Sequence, residues 1–159
     1  MGLNLKDTLL LRLYTLWKFP LIHFCRPGII EFNDQRCVIK IPLKRRTKNH
    51  LNCMYFGALC IGADLVGGII AIHLIRQSKR KISFLFKDVK GNFLKRVEGD
   101  AFFVCEDVAA IADIMNKTIV TGERLNLPIR ITVTSPSLSG DEPLAEFMLT
   151  ISLKDKTKS

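Results

Sequence analysis

Acidic residues are scarce in this chain: its 159 residues include 15 Asp and Glu against 24 Lys and Arg, which gives a net charge of +9. Such an excess favours anionic partners, namely a phosphorylated cofactor, nucleic acid or an acidic membrane surface. The charge is spread from Lys6 to Lys158, so a solvated basic surface explains it equally well. The basic residues are not interleaved with aromatic residues in any recognisable module, so we do not expect nucleic-acid binding.

The chain also lacks the cysteine patterns of metal sites and disulfide frameworks. Its five cysteines are odd in number, include no C-x-x-C pair and lie mostly among apolar residues. Zinc sites and disulfide scaffolds need tighter or even spacing, so we expect buried free thiols, no metal site and a reducing compartment. The apolar run from Leu9 is broken by Arg12, Lys18 and Pro20, and no small-residue cleavage site follows it. A cytoplasmic location is therefore the expectation.

No repeat, low-complexity tract or linker divides the sequence, and its length fits one domain. Apolar periodicity predicts an amphipathic helix over Leu5–Lys18 that ends at Pro20, a long helix over Cys53–Arg76 capped by Asn52, and a helix over Glu106–Lys117. Short β-prone or alternating runs predict strands at Ile29–Phe32, Cys37–Ile41, Lys81–Phe86, Phe93–Lys95, Asp100–Cys105, Arg124–Ser135 and Ala145–Leu153. This order predicts an α+β domain in which an antiparallel sheet packs on a helix.

The long segment Cys53–Arg76 is apolar except for Asp64 and His73. Its length would also cross a bilayer. An aspartate near its middle, however, raises the free energy of insertion by about 2.5–3.5 kcal/mol, and the downstream strands need a core to cover. We therefore interpret the segment as a core helix and His73 as a hydrogen-bonded core histidine.

One face of this helix combines a single carboxylate, Asp64, with small residues, which are Gly57, Cys60, Gly67, Gly68 and Ala71. Small residues let a ligand or another backbone approach closely. A carboxylate among them is expensive to bury unless it is hydrogen-bonded or lines a wet cleft. Asp64 therefore either faces a ligand or is satisfied by a neighbouring amide at a helix–helix contact.

The run Tyr55-Phe56-Gly57-Ala58-Leu59-Cys60-Ile61-Gly62-Ala63-Asp64 resembles the helix-start motif of hotdog-fold acyl-CoA thioesterases of the PaaI-like group. That motif reads His-Gly-Gly, then a small and apolar stretch, then Asp or Glu. Asn49-His50 together with Met54–Leu59 is similar to an uncharacterised, thioesterase-like branch of the superfamily. Phe93–Arg96 with Gly99-Asp100 resembles the strand–turn–strand that follows the central helix in this fold, and the likeness extends from Pro27 to Leu153.

The resemblance implies a hotdog fold, in which a curved antiparallel sheet wraps around one long central helix, here with an extra N-terminal helix. The corresponding divisions are an amphipathic helix and connector at 1–26, the hotdog domain at 27–154 and a frayed charged tail at 155–159. It also implies a homodimer, with a tetramer left open, because the acid of one subunit usually works with the helix start of the other.

The resemblance further implies thioester hydrolysis, with Asp64 as general base or nucleophile and the main-chain N–H groups of Phe56 and Gly57 as oxyanion donors. The acyl group would be carried by coenzyme A or by an acyl-carrier protein. Coenzyme A would enter as part of an acyl-CoA substrate, and no other cofactor is implied. Tyr55 and Phe56 replace the family's His and Gly, however. The alternative is therefore a non-catalytic hotdog dimer that binds an acyl ligand or is structural.

Several residues before the helix are candidates for substrate contacts. The Tyr55 hydroxyl is a candidate hydrogen-bond partner for substrate; alternatively, the Tyr55 ring only packs against its neighbours. Asn49 and His50 precede the helix in a basic loop. His50 is a candidate to orient water or substrate, although a lone loop histidine is often only solvated. Lys44, Arg45 and Arg46 form the densest basic run and are suited to the phosphates of coenzyme A, or they solubilise the loop. Leu5–Lys18 covers the substrate tunnel, supports oligomerisation or touches a membrane, and of these we do not favour membrane contact.

Overall fold

A six-stranded antiparallel sheet and one long helix dominate the structure, a computed structural model that describes residues 4–157. The helices are α1 Leu5–Lys18, α2 Pro20–Phe24, α3 Phe56–Ser78, α4 Val108–Thr121 and α5 Pro136–Ser139. The strands are β1 Gly28–Phe32, β2 Cys37–Ile41, β3 Ile82–Phe93, β4 Ala101–Cys105, β5 Leu125–Ser135 and β6 Gly140–Asp155. Their order across the sheet is β1-β2-β4-β5-β6-β3, with every neighbouring pair antiparallel.

The core lies between this sheet and α3. Alternate residues of the two longest central strands are fully buried, because side chains of a strand point to opposite faces in turn. These residues are Ile129, Ile131 and Val133 of β5 and Ala145, Phe147, Leu149, Ile151 and Leu153 of β6. Helix α3 lies close to the sheet where it carries glycine: a methyl group at Gly62 would overlap the ring of Phe103 in β4. Small residues of α3 therefore let the sheet pack against its backbone.

The central helix begins three residues later than its apolar pattern predicts. Asn52, predicted to cap it, has a positive φ of 62° and lies outside the helix, whose N-cap is Tyr55 without a side-chain hydrogen bond. The preceding residues are instead held by the loop, since the N–H of Met54 donates to Val97 O at 2.8 Å and that of Tyr55 to Thr47 O at 2.8 Å. These bonds fix an extended backbone up to Tyr55, which is why the cap prediction was wrong.

The strand that follows α3 is one element where the sequence predicts two. The sequence predicts strands at Lys81–Phe86 and Phe93–Lys95 with a polar run, residues 87–92, between them. In the structure β3 continues through this run as a 12-residue strand, with an irregularity in its pairing between Phe86 and Val89. It pairs only with β6 and forms an edge of the sheet. An edge strand with one uncovered face need not alternate apolar and polar residues, which explains why residues 87–92 are not predicted as a strand.

Both ends of the chain differ in detail from expectation. Pro20 does not simply end the first helix; it is the first residue of α2, where proline needs no N–H donor. At the other end, residues 155–157 were expected to fray. The N–H of Lys156 instead donates to Lys81 O at 2.8 Å, and the N–H of Lys81 donates to the Thr157 hydroxyl at 3.0 Å. Residues 158 and 159 lie outside the described residues.

Helix α3 is long and apolar enough to cross a membrane by composition, with a mean hydropathy of 2.1 over its most apolar window. Half of that window is buried inside the protein, and the helix contacts β2, β4 and β5. Its position as the central helix of the sheet therefore accounts for its apolar character, as the sequence predicts.

Candidate functional site

The side chain of Asp64 lies at a cavity of about 320 Å³ between α3 and the N-terminal helices. Strands β1 and β3 complete the walls, which are mostly apolar and include Leu11, Tyr14, Phe32, Leu65, Ile69 and Phe84. Gly68, one turn after Asp64, also lines the space and leaves room beside the carboxylate. A cavity of this size and polarity suits a small apolar ligand or an acyl chain.

The Asp64 carboxylate makes no hydrogen bond or ion pair with any other residue in the range 4–157. The side chain is open to solvent on one side, while the apolar surroundings on the other remove part of its hydration. This desolvation raises the pKa of the Asp64 carboxyl above its ordinary value, because it disfavours the charged form. Among the described residues of one chain, therefore, no neighbouring amide satisfies Asp64, and the carboxylate is available to a ligand or water.

Two further polar side chains of α3 line the same cavity, and neither was singled out as functional from the sequence. His73, interpreted as a core histidine, is in fact exposed; its Nε2 lies 2.9 Å from Gln77 Nε2, and its ring meets that of Phe32 at 4.9 Å. The Arg76 guanidinium lies 5.2 Å from the ring centre of Tyr14. Gln77, four residues after His73, is the sequence signal for a solvent-facing pair.

The start of α3 provides unpaired main-chain donors. The N–H groups of Ala58 and Leu59 both donate to Tyr55 O, at 2.9 and 3.2 Å, whereas those of Phe56 and Gly57 have no acceptor among the described residues. The Tyr55 ring packs directly on Gly57, where a methyl group would overlap its Cε1 atom. Tyr55 and Phe56 remain 48% and 58% exposed. The two free N–H groups thus lie beside a pair of half-exposed aromatic rings.

A single chain does not bring Asp64 and these donors to one point. Gly57 and Asp64 lie on the same side of α3, but seven residues separate them, which is roughly 10 Å along a helix axis. Neither Phe56 nor Gly57 lines the cavity at Asp64. A substrate carbonyl that contacts Asp64 therefore lies beyond hydrogen-bonding reach of the helix start in the same chain.

The loop before α3 places the other predicted contacts elsewhere. The Asn49 side chain is engaged inside the loop: its Oδ1 accepts from the N–H of Leu51 at 2.9 Å and from that of Cys53 at 3.3 Å. His50 is exposed and has no hydrogen-bond partner among residues 4–157. Neither residue lines the cavity at Asp64.

The basic run of the same loop forms a separate, open groove, which we call the basic groove. It is lined by Arg12, Phe24, Arg26, Pro42, Lys44, Arg45 and Arg46. Arg46 lies over the Phe24 ring at 5.6 Å, and no acidic residue of the described chain lines the groove. Lys44, Arg45 and Arg46 are therefore gathered with two further cations, Arg12 and Arg26, and away from Asp64.

All five cysteines are free thiols, and four of them are buried. Burial raises the pKa of the Cys25 and Cys60 thiols, and that of the Cys105 thiol to about 11. The thiols of Cys25, Cys60 and Cys105 are therefore protonated near neutral pH and are poor nucleophiles.

A family model matches most of the chain. Residues 9–141 match a family described as a domain of unknown function, DUF4442. No curated protein matches the sequence.

Solved structures of similar shape share little sequence with this chain. A protein of unknown function from Chlorobaculum tepidum superposes with a TM-score of 0.79 at 11% identity and covers 96% of each chain. A Pseudomonas aeruginosa protein described as a "probable thioesterase" has a TM-score of 0.74 at 20% identity over 98% of each chain. A mutant thioesterase from the same organism has a TM-score of 0.67 at 16% identity, over 92% of this chain and 94% of the other. These likenesses confirm the predicted hotdog fold.

Proposed function

We propose, from the premise that this chain belongs to the DUF4442 family, that it hydrolyses an acyl thioester such as an acyl-CoA. The observation that carries the proposal is the unpaired carboxylate of Asp64 at a largely apolar cavity of about 320 Å³. The acyl chain occupies the cavity, and its thioester carbonyl lies near the carboxylate. The thioesterases among the structural neighbours support the reaction class.

Asp64 acts as general base in this proposal. Its carboxylate takes a proton from water, the resulting hydroxide attacks the carbonyl carbon, and the C–S bond then breaks. The products are a carboxylic acid and a thiol, which receives the proton that Asp64 took. A raised pKa makes the carboxylate a stronger base than an ordinary aspartate, and the open side of Asp64 gives water access.

The oxyanion donors come from a second copy of the chain. Phe56 and Gly57 of one chain lie too far from the Asp64 of the same chain, so their free N–H groups serve the site of the partner copy. The unpaired edge of β3 is the surface through which two copies associate, since it exposes the apolar side chains of Leu85, Val89 and Phe93. The functional unit is thus a homodimer.

A thiol-release assay with acyl-CoAs of several chain lengths tests the reaction. We expect Asp64→Ala to lower the turnover rate by roughly 10²–10⁴-fold, the contribution typical of a positioned general base. The matched control is Asp113→Asn, because Asp113 is an exposed acid on α4 outside the cavity, and its turnover should stay near that of the unmodified protein. Absence of turnover for every chain length, or turnover that survives Asp64→Ala, rejects the proposal.

A specific observation also favours a non-catalytic acyl-binding protein. The rings of Tyr55 and Phe56 stand half-exposed at the helix start, 4.9 Å apart, and narrow the approach of a carbonyl to the free N–H groups. Under this alternative the cavity holds an acyl ligand without hydrolysis. Mass spectrometry of a ligand retained through purification, combined with an inert thiol-release assay, would support it, whereas hydrolysis that depends on Asp64 excludes it.

A further inference from the structure

Helix α1 packs on the domain through a largely polar side, while most of its leucines face solvent. Its buried residues are Thr8, Leu11 and Thr15, so two of the three are polar. The Thr8 hydroxyl accepts a hydrogen bond from the N–H of Ile29 at 2.9 Å, which anchors the helix to β1. A surface helix normally turns its leucines toward the core. Here most of the leucines point the other way.

A set of exposed large hydrophobic residues of the two N-terminal helices is called here the apolar face, which consists of Leu5, Leu9, Leu13, Leu16 and Trp17 of α1 with Leu21 and Phe24 of α2. The α1 residues recur at three- and four-residue spacings and so lie on one side of the helix. Trp17 is 87% exposed, the largest value among the exposed large hydrophobic residues described. Seven exposed large apolar side chains on two consecutive helices mark a site of association.

Positive charge borders the apolar face. Phe24 belongs both to this face and to the basic groove, where Arg46 lies over its ring. Arg12, Arg26, Lys44 and Arg45 complete the cations of the groove, and Lys6 extends from the exposed side of α1 that carries Leu9 and Leu13. The apolar face thus adjoins a concentration of cations that no acidic residue of the described chain offsets within the groove.

We propose that the apolar face and the basic groove together bind the surface of an anionic lipid bilayer. Leucine and tryptophan side chains enter the boundary between headgroups and acyl chains, while the cations contact lipid phosphates. A second copy of the chain is the less suitable occupant, because a two-fold contact through this face would bring two basic borders together. This surface lies outside the Asp64 cavity, and its contact with lipid does not depend on thioesterase activity.

The wall of the Asp64 cavity includes two residues of the N-terminal segment that are also exposed. These residues are Leu10 and Phe19, beside the apolar face.

The only tryptophan of the chain, Trp17, provides the test. The full-length protein is mixed with vesicles of phosphatidylcholine alone or with a third of phosphatidylglycerol. With anionic vesicles we expect co-sedimentation, a shift of tryptophan emission to shorter wavelength and quenching by brominated acyl chains. Vesicles of phosphatidylcholine alone should bind the protein at least about tenfold more weakly, since each basic residue near an anionic surface adds to affinity.

Two sets of variants separate the apolar and electrostatic parts. Leu9→Gln with Leu13→Gln should weaken binding roughly 100-fold, because two exposed leucines no longer enter the lipid. Arg45→Gln with Arg46→Gln should weaken binding to anionic vesicles about 25-fold and leave the residual binding to neutral vesicles unchanged. The matched control is Val120→Gln with Leu138→Gln, which removes exposed apolar side chains elsewhere and should bind like the unmodified protein.

Three outcomes would overturn the proposal. The first is an unshifted tryptophan emission with anionic vesicles. The second is self-association that Leu9→Gln with Leu13→Gln abolishes while vesicle binding is absent, since the face then belongs to a second copy. The third is a loss of coenzyme A binding in Arg45→Gln with Arg46→Gln while vesicle binding is retained, which would assign the basic groove to a soluble phosphate.

Discussion

An ionised carboxylate against an apolar wall destabilises the protein that carries it. Asp64 is in this position, because desolvation raises its pKa and no described residue donates a hydrogen bond to it. The folded state therefore holds the Asp64 proton more tightly than the unfolded chain, whose aspartates titrate at about pH 3.9. The free energy of unfolding consequently falls as pH rises from that value through the raised pKa of the folded state, and it stays lower above it.

At the residue scale we expect Asp64→Asn to raise the melting temperature at neutral pH and to have no stabilising effect at a pH below about 3.9, where the carboxyl is protonated in both states. Melting curves of both proteins across this range measure the effect. Asp113→Asn, at an exposed position on α4, should shift the melting temperature little at any pH. A less stable Asp64→Asn at neutral pH would contradict the prediction and indicate that the carboxylate has a partner in solution.

The sequence singles out Asp64 as a candidate because a lone acid in an apolar helix is conspicuous. It does not reveal the surroundings of residues whose partners are distant in sequence. Arg76 meets Tyr14, and His73 meets Phe32, through packing of α1 and β1 on the central helix. Asn49 shows the opposite case: its side chain bonds within the loop, a local role that competes with the predicted contact to substrate. The roles assigned to Asn49, His50, Tyr55, Phe56 and Gly57 stay predictions.

At the scale of elements, few hydrogen bonds hold α1 to the rest of the domain, and one of them is the bond that the buried Thr8 hydroxyl accepts. Thr8→Val keeps the shape of the side chain but leaves the N–H of Ile29 without its acceptor, which should lower the free energy of unfolding by about 1–3 kcal/mol. Denaturant unfolding measures this change, and hydrogen exchange should show faster exchange in α1 while α3 stays protected.

The control for this substitution is Thr121→Val, since Thr121 is exposed and its hydroxyl donates to Lys117 O within α4. Thr121→Val should change the free energy of unfolding by no more than about 0.5 kcal/mol. A loss of protection in α3 and α1 together would show that α1 is part of the cooperative core, contrary to the expectation.

Periodicity predicts the type of most elements but not the inward side of α1 or the true ends of α3. The helical spacing of Leu9, Leu13 and Leu16 is unambiguous, yet whether that stripe faces the core depends on what the sheet leaves uncovered. Asn52 has the side chain of a helix cap. The main-chain hydrogen bonds of Met54 and Tyr55 to distant loop residues, which the sequence does not show, start the helix later. Such errors arise where long-range contacts override local preference.

At the scale of the whole molecule, the fold class follows from the order of elements together with the resemblance in the central helix. The strand order does not, because β3 crosses to pair with β6 and β4 inserts between β2 and β5. Those pairings join residues far apart in the chain. They depend on which apolar faces fit α3, which no local pattern encodes.

The proposed homodimer is tested at the edge strand. Val89 on β3 is 61% exposed, and Val89→Lys should weaken dimerisation at least about tenfold, because lysine at an edge discourages pairing and two copies would bring like charges together. Sedimentation equilibrium measures the association. The control is Val120→Lys on α4, at an 84% exposed position, which should leave the dimer intact. A dimer unaffected by Val89→Lys would locate the interface elsewhere.

The apolar character of α3 has a consequence during biosynthesis, before the sheet exists to cover it. A nascent 23-residue helix of this hydropathy has the length that the translocation machinery accepts as a transmembrane segment. Asp64, close to the middle of the helix, penalises that outcome by about 2.5–3.5 kcal/mol. The same carboxylate that reduces the stability of the finished protein therefore helps to keep the emerging chain on the aqueous folding route.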